Sequence, residues 1–149
     1  MMNYIKNISL FVVASILLMI LSNCLQSDYV IRFLEDDLIT ILITVFAINT
    51  ATHSLLITDL ANLAKSKELK FRNSFSQIKL SIMEQLVLIG LAFVLLMIRA
   101  SKIEPSTELL FALDTLLVTT FIYSIDILRD TAVAVFQLIE FRNRDEASK

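Results

Sequence analysis

Residues 38–58, LITILITVFAINTATHSLLIT, contain no charged side chain. About 20 helical residues cross the hydrocarbon core of a bilayer, so this stretch has the length and polarity of a transmembrane helix. A second uncharged stretch, residues 7–27, precedes it, and two apolar stretches with few acidic residues follow at 80–98 and 109–128. Continuous apolar runs of this length predict helices rather than the alternating strands of a membrane barrel. The sequence therefore predicts an all-α integral membrane four-helix bundle, with residues 1–149 forming one transmembrane domain.

The overall composition agrees with a membrane protein. The chain has 149 residues, is 56% hydrophobic, and carries 13 basic and 15 acidic side chains for a net charge of −2. Soluble domains are roughly 45 to 50% apolar even with glycine counted. With one Gly, one Pro and one Cys, the chain is neither a collagen nor a disulfide scaffold. Nothing in the composition indicates direct contact with nucleic acid, and the lipid bilayer is the expected environment.

Basic residues predict the orientation, because Lys and Arg accumulate in short loops on the cytoplasmic side. Ten of them lie before span 1, between spans 2 and 3, or after span 4. The other three, Arg32, Arg99 and Lys102, lie in the two loops on the opposite side. Both termini are therefore expected in the cytoplasm. Lys6, the apolar run and Cys24 also fit a lipoprotein signal, but a packing role for Cys24 near the outer end of span 1 is favoured.

Helices 2, 3 and 4 are expected to extend into the cytoplasm. Residues 59–79 contain no Gly or Pro, and their apolar side chains keep a helical period on both sides of an expected turn at 72–74. The tail, residues 129–149, also lacks a helix breaker and is apolar on nearly every side between Val133 and Phe141. Such an apolar segment is expected to be shielded from water. The other extensions, neighbouring subunits, a partner or the lipid interface could shield it.

Ionisable side chains near the inner ends of the spans form a predicted intramembrane polar belt: His53, Glu84, Asp126, Arg129 and Asp130. Asp126 and Arg129 have the i, i+3 spacing of a helical ion pair, and bridges to Glu84 or His53 are the alternative. Charges inside a membrane are costly and often mark an ion or proton path, although groups one turn inside the interface also reach water. A structural belt is the favoured interpretation, and a conduction path is the alternative.

No catalytic, metal-binding or cofactor-binding residue is predicted, and the chain is not expected to be an enzyme. One histidine and one cysteine do not supply the three or four ligands of a zinc site. His53 and Ser54 are adjacent in one helix and point to different faces, so they do not form a hydrolytic dyad. Asn49 and His53, one turn apart, are expected to hydrogen-bond a neighbouring helix.

Two further patterns predict contacts between helices and between proteins. A stripe of small residues follows span 2 at Ala47, Ala51 and Ser54, with Gly90 as a weaker counterpart in span 3, and allows close approach inside one subunit or between subunits. Aromatic and basic residues lie beside each other on the cytoplasmic extensions and form the expected docking surface for a partner protein: Lys67, Lys70, Phe71, Arg72, Phe75, Phe136, Arg142 and Arg144.

Three functional classes fit these features. An anchor or sensor that couples a membrane stimulus to a cytoplasmic partner is favoured, because the apolar extensions need a cover. A small homo-oligomeric ion channel or pore, lined by the threonine-bearing faces of helices 2 and 4, is the alternative. A small exporter is disfavoured, since span 1 has no acidic residue and the chain has a single glycine.

The chain has four predicted spans, both termini inside and helices prolonged into the cytoplasm, and its closest stretch to a signature is FIYSIDILRD at Phe121–Asp130. This layout resembles the small membrane subunit of the two-component Kiwa phage-defence system. The resemblance is one of layout over the whole chain. It implies a homo-oligomer, a tetramer, in the bacterial inner membrane. It also implies a sensor of phage attack that works with a cytoplasmic DNA-binding subunit.

Cysteine labelling of intact cells tests the predicted topology. In a Cys24→Ser background, Ser148→Cys should not react with a membrane-impermeant maleimide until the cells are permeabilised, because the carboxyl terminus is expected inside. The unsubstituted Cys24 of the parent chain, expected near the outer surface, provides the matched positive control. Reaction at position 148 from outside intact cells contradicts the topology.

Overall fold

The computed structural model describes residues 2–67, 72–101 and 106–146, with side chains for 8–61, 73–101 and 106–141. The described chain consists of four helices: α1 (Met2–Cys24), α2 (Tyr29–Lys67), α3 (Arg72–Arg99) and α4 (Thr107–Glu146). The described residues contain no strand, and the predicted all-α bundle is confirmed. We call the end at which α1 ends and α4 begins the upper end, and the opposite end the lower end.

Three stretches within the described helices are long and apolar enough to cross a membrane: Tyr29–Ala61, Asn73–Arg99 and Thr107–Phe141. The apolar part of α1 with described side chains, Ile8–Cys24, is shorter. The chain therefore has the helices of a membrane protein. Four spans, and the side on which each terminus lies, stay predictions.

The upper connection between α1 and α2 is a compact turn. The N–H of Ser27 donates to the carbonyl of Ser22 over 3.0 Å, and the N–H of Gln26 donates to the carbonyl of Asn23 over 3.1 Å. This is the Schellman pattern that closes many helices, with Gln26 in the left-handed position at φ 50°. Residues 25–27, assigned to span 1 by the sequence, therefore lie in this turn.

The second helix begins nine residues earlier than its predicted span. The predicted spans end at residue 27 and begin again at residue 38, which leaves the acidic residues at 35–37 in a loop. In the structure these residues lie in α2. The reason is packing: Ile31 and Leu34 point into the bundle and are only 6% and 1% exposed. Burial of apolar side chains on one face stabilises the helix while the acidic residues occupy the other. The turn expected at 72–74 is likewise wrong, since these residues are already helical.

The fourth helix is the centre of the bundle. It packs against α1, α2 and α3, and α2 also packs against α3. The main apolar core lies in the upper half around Leu34, Leu38, Ala92 and Leu117. A smaller cluster of buried side chains, Leu56, Leu60 and Ile78, joins α2 to α3 and α4 in the lower half.

The helices differ in length, and this difference determines the shape of the lower end. At about 1.5 Å per residue, the 39 and 40 residues of α2 and α4 span roughly 58 to 60 Å, whereas the 23 residues of α1 span roughly 35 Å. Because α1, α2 and α4 meet at the upper end, the excess length projects at the lower end. The projection past α1 is roughly 24 Å.

The small-residue stripe of α2 does not pack within this bundle. Ala47, Ala51 and Ser54 are exposed, and a methyl group added at Gly90 would meet no atom within 4 Å. The third helix instead turns Ala92 into the core, where it is 0% exposed. Within one subunit the stripe therefore faces outward. Cys24, expected as a packing residue, is exposed and has a free thiol.

Candidate functional site

Three charged side chains from three helices meet near the upper end, and we call them the upper ion cluster: Glu35 of α2, Arg99 of α3 and Asp114 of α4. The Nε of Arg99 donates to Glu35 Oε1 over 2.5 Å, and its Nη1 donates to Asp114 Oδ1. The side chains of Arg99 and Asp114 are 19% and 13% exposed. A guanidinium held between two carboxylates in an apolar bundle fixes the relative height of all three helices.

Asp114 and Arg99 were not among the site residues predicted from the sequence. A usable signal was present: one acidic residue inside an apolar helix needs a cation, and Arg99 ends the preceding apolar run. Glu35 could not be predicted as a further partner of Arg99, because the predicted spans leave residues 28–37 as a loop.

Hydroxyl side chains occupy the middle of the bundle. Thr119 of α4 donates to Ser15 of α1 over 2.9 Å, and Ser15 donates to the carbonyl of Phe11 over 2.8 Å. Thr115 and Thr120 each donate to the carbonyl four residues earlier in α4, at 2.8 and 2.9 Å. Ser15, Thr115 and Thr120 thus donate within their own helices, the usual pattern for Ser and Thr in apolar surroundings. The bond from Thr119 to Ser15 joins α4 to α1.

Three polar side chains lie deeper in the bundle: Asn49, His53 and Gln85, which are 0%, 4% and 3% exposed. None of their side-chain nitrogen and oxygen atoms has a hydrogen-bond partner among the described residues. The bonds expected from Asn49 and His53 to a neighbouring helix are thus not found within the part of the chain that the structure describes. Burying such groups without partners costs free energy, so these three side chains are candidates for hydrogen bonds to water, to a ligand or to a second chain.

The predicted polar belt lies in the lower half of the bundle. Arg129 Nη2 approaches Asp126 at 2.6 Å and Asp130 at 3.0 Å. The Arg129 side chain is 63% exposed and that of Asp126 only 9%, so the cation reaches outward from a buried acid. On the neighbouring helix Glu84 accepts a hydrogen bond from the hydroxyl of Tyr123 over 3.3 Å.

A cleft of about 660 Å³ lies between the lower halves of α2, α3 and α4, and we call it the lower cleft. It brings His53, Glu84 and Asp130 of the predicted belt to one surface, together with Tyr123 and Thr131. A second, more apolar groove of about 850 Å³ lies between α2 and α4 and includes Asn49. The sequence analysis identified the belt residues but not Tyr123 or Gln85, because a lone tyrosine or glutamine in an apolar run carries no distinguishing pattern.

The expected docking surface is described only in part. Phe75 and Phe136 are 37% and 71% exposed. Four basic residues of this surface have a described helical backbone, but their side chains are not among the described ones: Lys67, Arg72, Arg142 and Arg144. Lys70 and Phe71 lie outside the described residues altogether.

The described residues contain no group of three or more His, Cys, Asp or Glu side chains that could hold a metal ion. Comparison of the chain with protein-family models, with curated proteins and with solved structures gives no match.

Substitution in the upper ion cluster tests its structural role. Arg99→Leu should destabilise the bundle by about 3 to 5 kcal/mol, because it leaves Asp114 buried without a cation. Arg99→Leu combined with Asp114→Leu should recover most of that loss. Arg32→Leu is the matched control: its pair with Asp28 is 75% and 79% exposed and should contribute about 1 kcal/mol or less.

Thermal unfolding in a nonionic detergent, followed by circular dichroism, measures the three variants against the parent chain. Equal stability of Arg99→Leu and Arg32→Leu contradicts the assigned role of the cluster.

Proposed function

We propose that the chain is a non-enzymatic, homo-oligomeric anchor and sensor of the bacterial inner membrane that couples a membrane stimulus to a cytoplasmic protein partner. In this proposal the bundle crosses the membrane four times, with both termini in the cytoplasm and the lower end facing inward. The resemblance to the Kiwa membrane subunit supports a tetramer and a role in phage defence.

The observation that carries the proposal is the apolar projection at the lower end. The hydrocarbon core is about 30 Å thick, so helices of roughly 58 to 60 Å have to leave it. The projecting part of α4 keeps large apolar side chains exposed: Val133, Phe136, Ile139 and Phe141 are between 44% and 71% exposed. Exposed apolar patches of this kind mark protein interfaces, since water would otherwise surround them.

The packing of α4 provides a route from membrane to partner. This single helix contacts every other helix and continues unbroken from Thr107 to Glu146. The upper ion cluster holds α4 to α2 and α3. A change in the packing of these helices within the membrane would therefore tilt α4, whose lower end forms the apolar projection. Self-association is supported by the exposed small-residue stripe of α2, which allows a second copy to approach closely.

A channel is the second candidate, and one observation favours it. Hydroxyl side chains lie exposed along one face of α2, including Thr44, Ser54 and Thr58. Each donates to the carbonyl four residues earlier, which leaves oxygen lone pairs pointing away from the bundle. In a ring of subunits this face could line a pore, where such oxygens would face permeant ions.

Co-purification with matched variants tests the anchor function. Phe136→Ser should abolish stoichiometric recovery of a cytoplasmic protein from cells, because it removes a large apolar contact from the proposed interface. Phe93→Ser is the matched control: it removes a phenylalanine that is also largely exposed, at 61% against 71% for Phe136, from the upper half of the bundle. It should leave recovery unchanged. Equal loss with both variants, or recovery unaffected by either, contradicts docking at the lower end.

Planar-bilayer recording of the purified chain distinguishes the channel. The anchor function predicts no steady current. A steady ion-selective current that changes with Thr44→Val, together with the absence of any bound protein, favours the channel instead.

A further inference from the structure

We propose that the apolar groove between α2 and α4 binds an amphipathic helix of the cytoplasmic partner protein, with a Lys or Arg side chain of that helix at Asp59. We call this groove of about 850 Å³ the side groove; its walls are residues 48–59 of α2 and residues 128–139 of α4. The inference rests on the proposed anchor function, because it names the surface and the partner chemistry of docking at the lower end.

The length and composition of the side groove fit one short helix. Each wall covers twelve residues, which is about 16 Å or three helical turns. Most lining side chains are apolar, and at the rim Leu55 and Phe136 are 69% and 71% exposed. An apolar groove of this kind takes the apolar face of an amphipathic helix, whose side chains at i, i+3, i+4 and i+7 fill it.

The walls favour a helix over an extended segment. Both walls are helical, so their backbone groups are bonded within α2 and α4 and offer no strand edge to a docked chain. An extended segment would therefore bury its own backbone N–H and C=O groups against apolar side chains, at a cost in free energy. A helix bonds these groups internally.

Asp59 determines the charge of the occupant. It is the single charged residue among the described residues that line the side groove, it is exposed, and no described residue forms an ion pair with it. A Lys or Arg of the docked helix would be attracted to this carboxylate, whereas an acidic side chain or a lipid phosphate would meet like charge. A second copy docked by two-fold symmetry would bring two Asp59 carboxylates into one interface, which disfavours self-association through this groove.

A polar side chain at the upper end of the side groove adds support. Asn49 lines the groove and is 0% exposed, and its amide has no hydrogen-bond partner among the described residues. In helical bundles such an amide commonly bonds to a neighbouring helix. The docked helix would supply that neighbour.

Photo-crosslinking in cells tests the site, with p-benzoylphenylalanine at position 55 and, as the matched control, at position 57. Leu55 lines the side groove, whereas Ile57 is exposed on the same helix but does not line it. Position 55 should crosslink to a cytoplasmic protein at least about tenfold more efficiently than position 57, because only position 55 would contact the docked helix.

Mass spectrometry of the crosslinked product identifies the occupant. The captured segment should have apolar residues at i, i+3, i+4 and i+7 and a Lys or Arg within about two turns of the crosslinked residue. A product that contains only lipid, a second copy of the chain, or a segment without this pattern overturns the proposal.

Charge reversal tests the role of Asp59. Asp59→Lys should reduce recovery of the partner at least about tenfold, because like charges would then meet in the groove. Ile57→Lys, which adds the same side chain at nearly the same height outside the groove, should leave recovery within about twofold. Changing the captured basic residue of the partner to Glu should restore recovery with Asp59→Lys. Equal losses with the two lysine variants, or no restoration, contradict the assigned contact.

Two further outcomes separate this inference from the anchor function. A cytoplasmic protein that is lost on Phe136→Ser but crosslinks equally from positions 55 and 57 overturns the side groove as its seat and leaves the anchor function standing. Failure of the parent chain to retain any cytoplasmic protein contradicts the anchor function and this proposal together.

Discussion

Arg99 joins three helices of the bundle through two carboxylates, and the arrangement of the rest of the chain depends on this contact. The third helix ends at Arg99, while Glu35 and Asp114 lie two turns into the second and fourth helices. With these three groups held at one height, the upper ends of α2 and α4 cannot slide relative to α3. Because α1 also ends at the upper end, the excess length of α2 and α4 over α1 appears at the lower end, where apolar side chains of α4 are exposed and the lower cleft lies.

The two halves of the bundle are built from different interactions. The upper half holds the main apolar core and the ion cluster, whose three charged side chains have partners within the chain. The lower half holds a smaller apolar cluster and the buried, unpartnered side chains of Asn49, His53 and Gln85. The lower half therefore combines a smaller apolar core with polar groups whose hydrogen-bonding capacity is unused within the described residues, a combination common at binding sites.

The helices were predictable because apolar runs of about 20 residues have few alternatives in a chain with one glycine and one proline. The start of α2 was missed, because Glu35, Asp36 and Asp37 indicate a loop when read alone. Ile31, Leu34 and Leu38 have the spacing of one helix face, and their burial in the core shows that this apolar period outweighs the acidic run.

The candidate site was predictable in part for the same reason. Depth along each span grouped His53, Glu84 and Asp130, which the structure brings to one cleft. Which side of a helix faces its neighbours could not be read from span limits. The small residues at Ala47, Ala51 and Gly90 were therefore assigned to packing, although within one subunit they face outward. Asn49 was expected to bond a neighbouring helix and has no such partner among the described residues.

The central claim is that α4 leaves the membrane at its lower end and presents an apolar surface to water and a partner. Spin labels at exposed positions along α4 in lipid vesicles test it most directly, in a Cys24→Ser background. The account predicts that labels at Leu116 and Ile125 collide mainly with oxygen dissolved in the bilayer, and labels at Gln137 and Glu140 mainly with a water-soluble nickel complex. Oxygen-dominated collisions at all four positions would contradict it, because α4 would then lie within the hydrocarbon along its whole length.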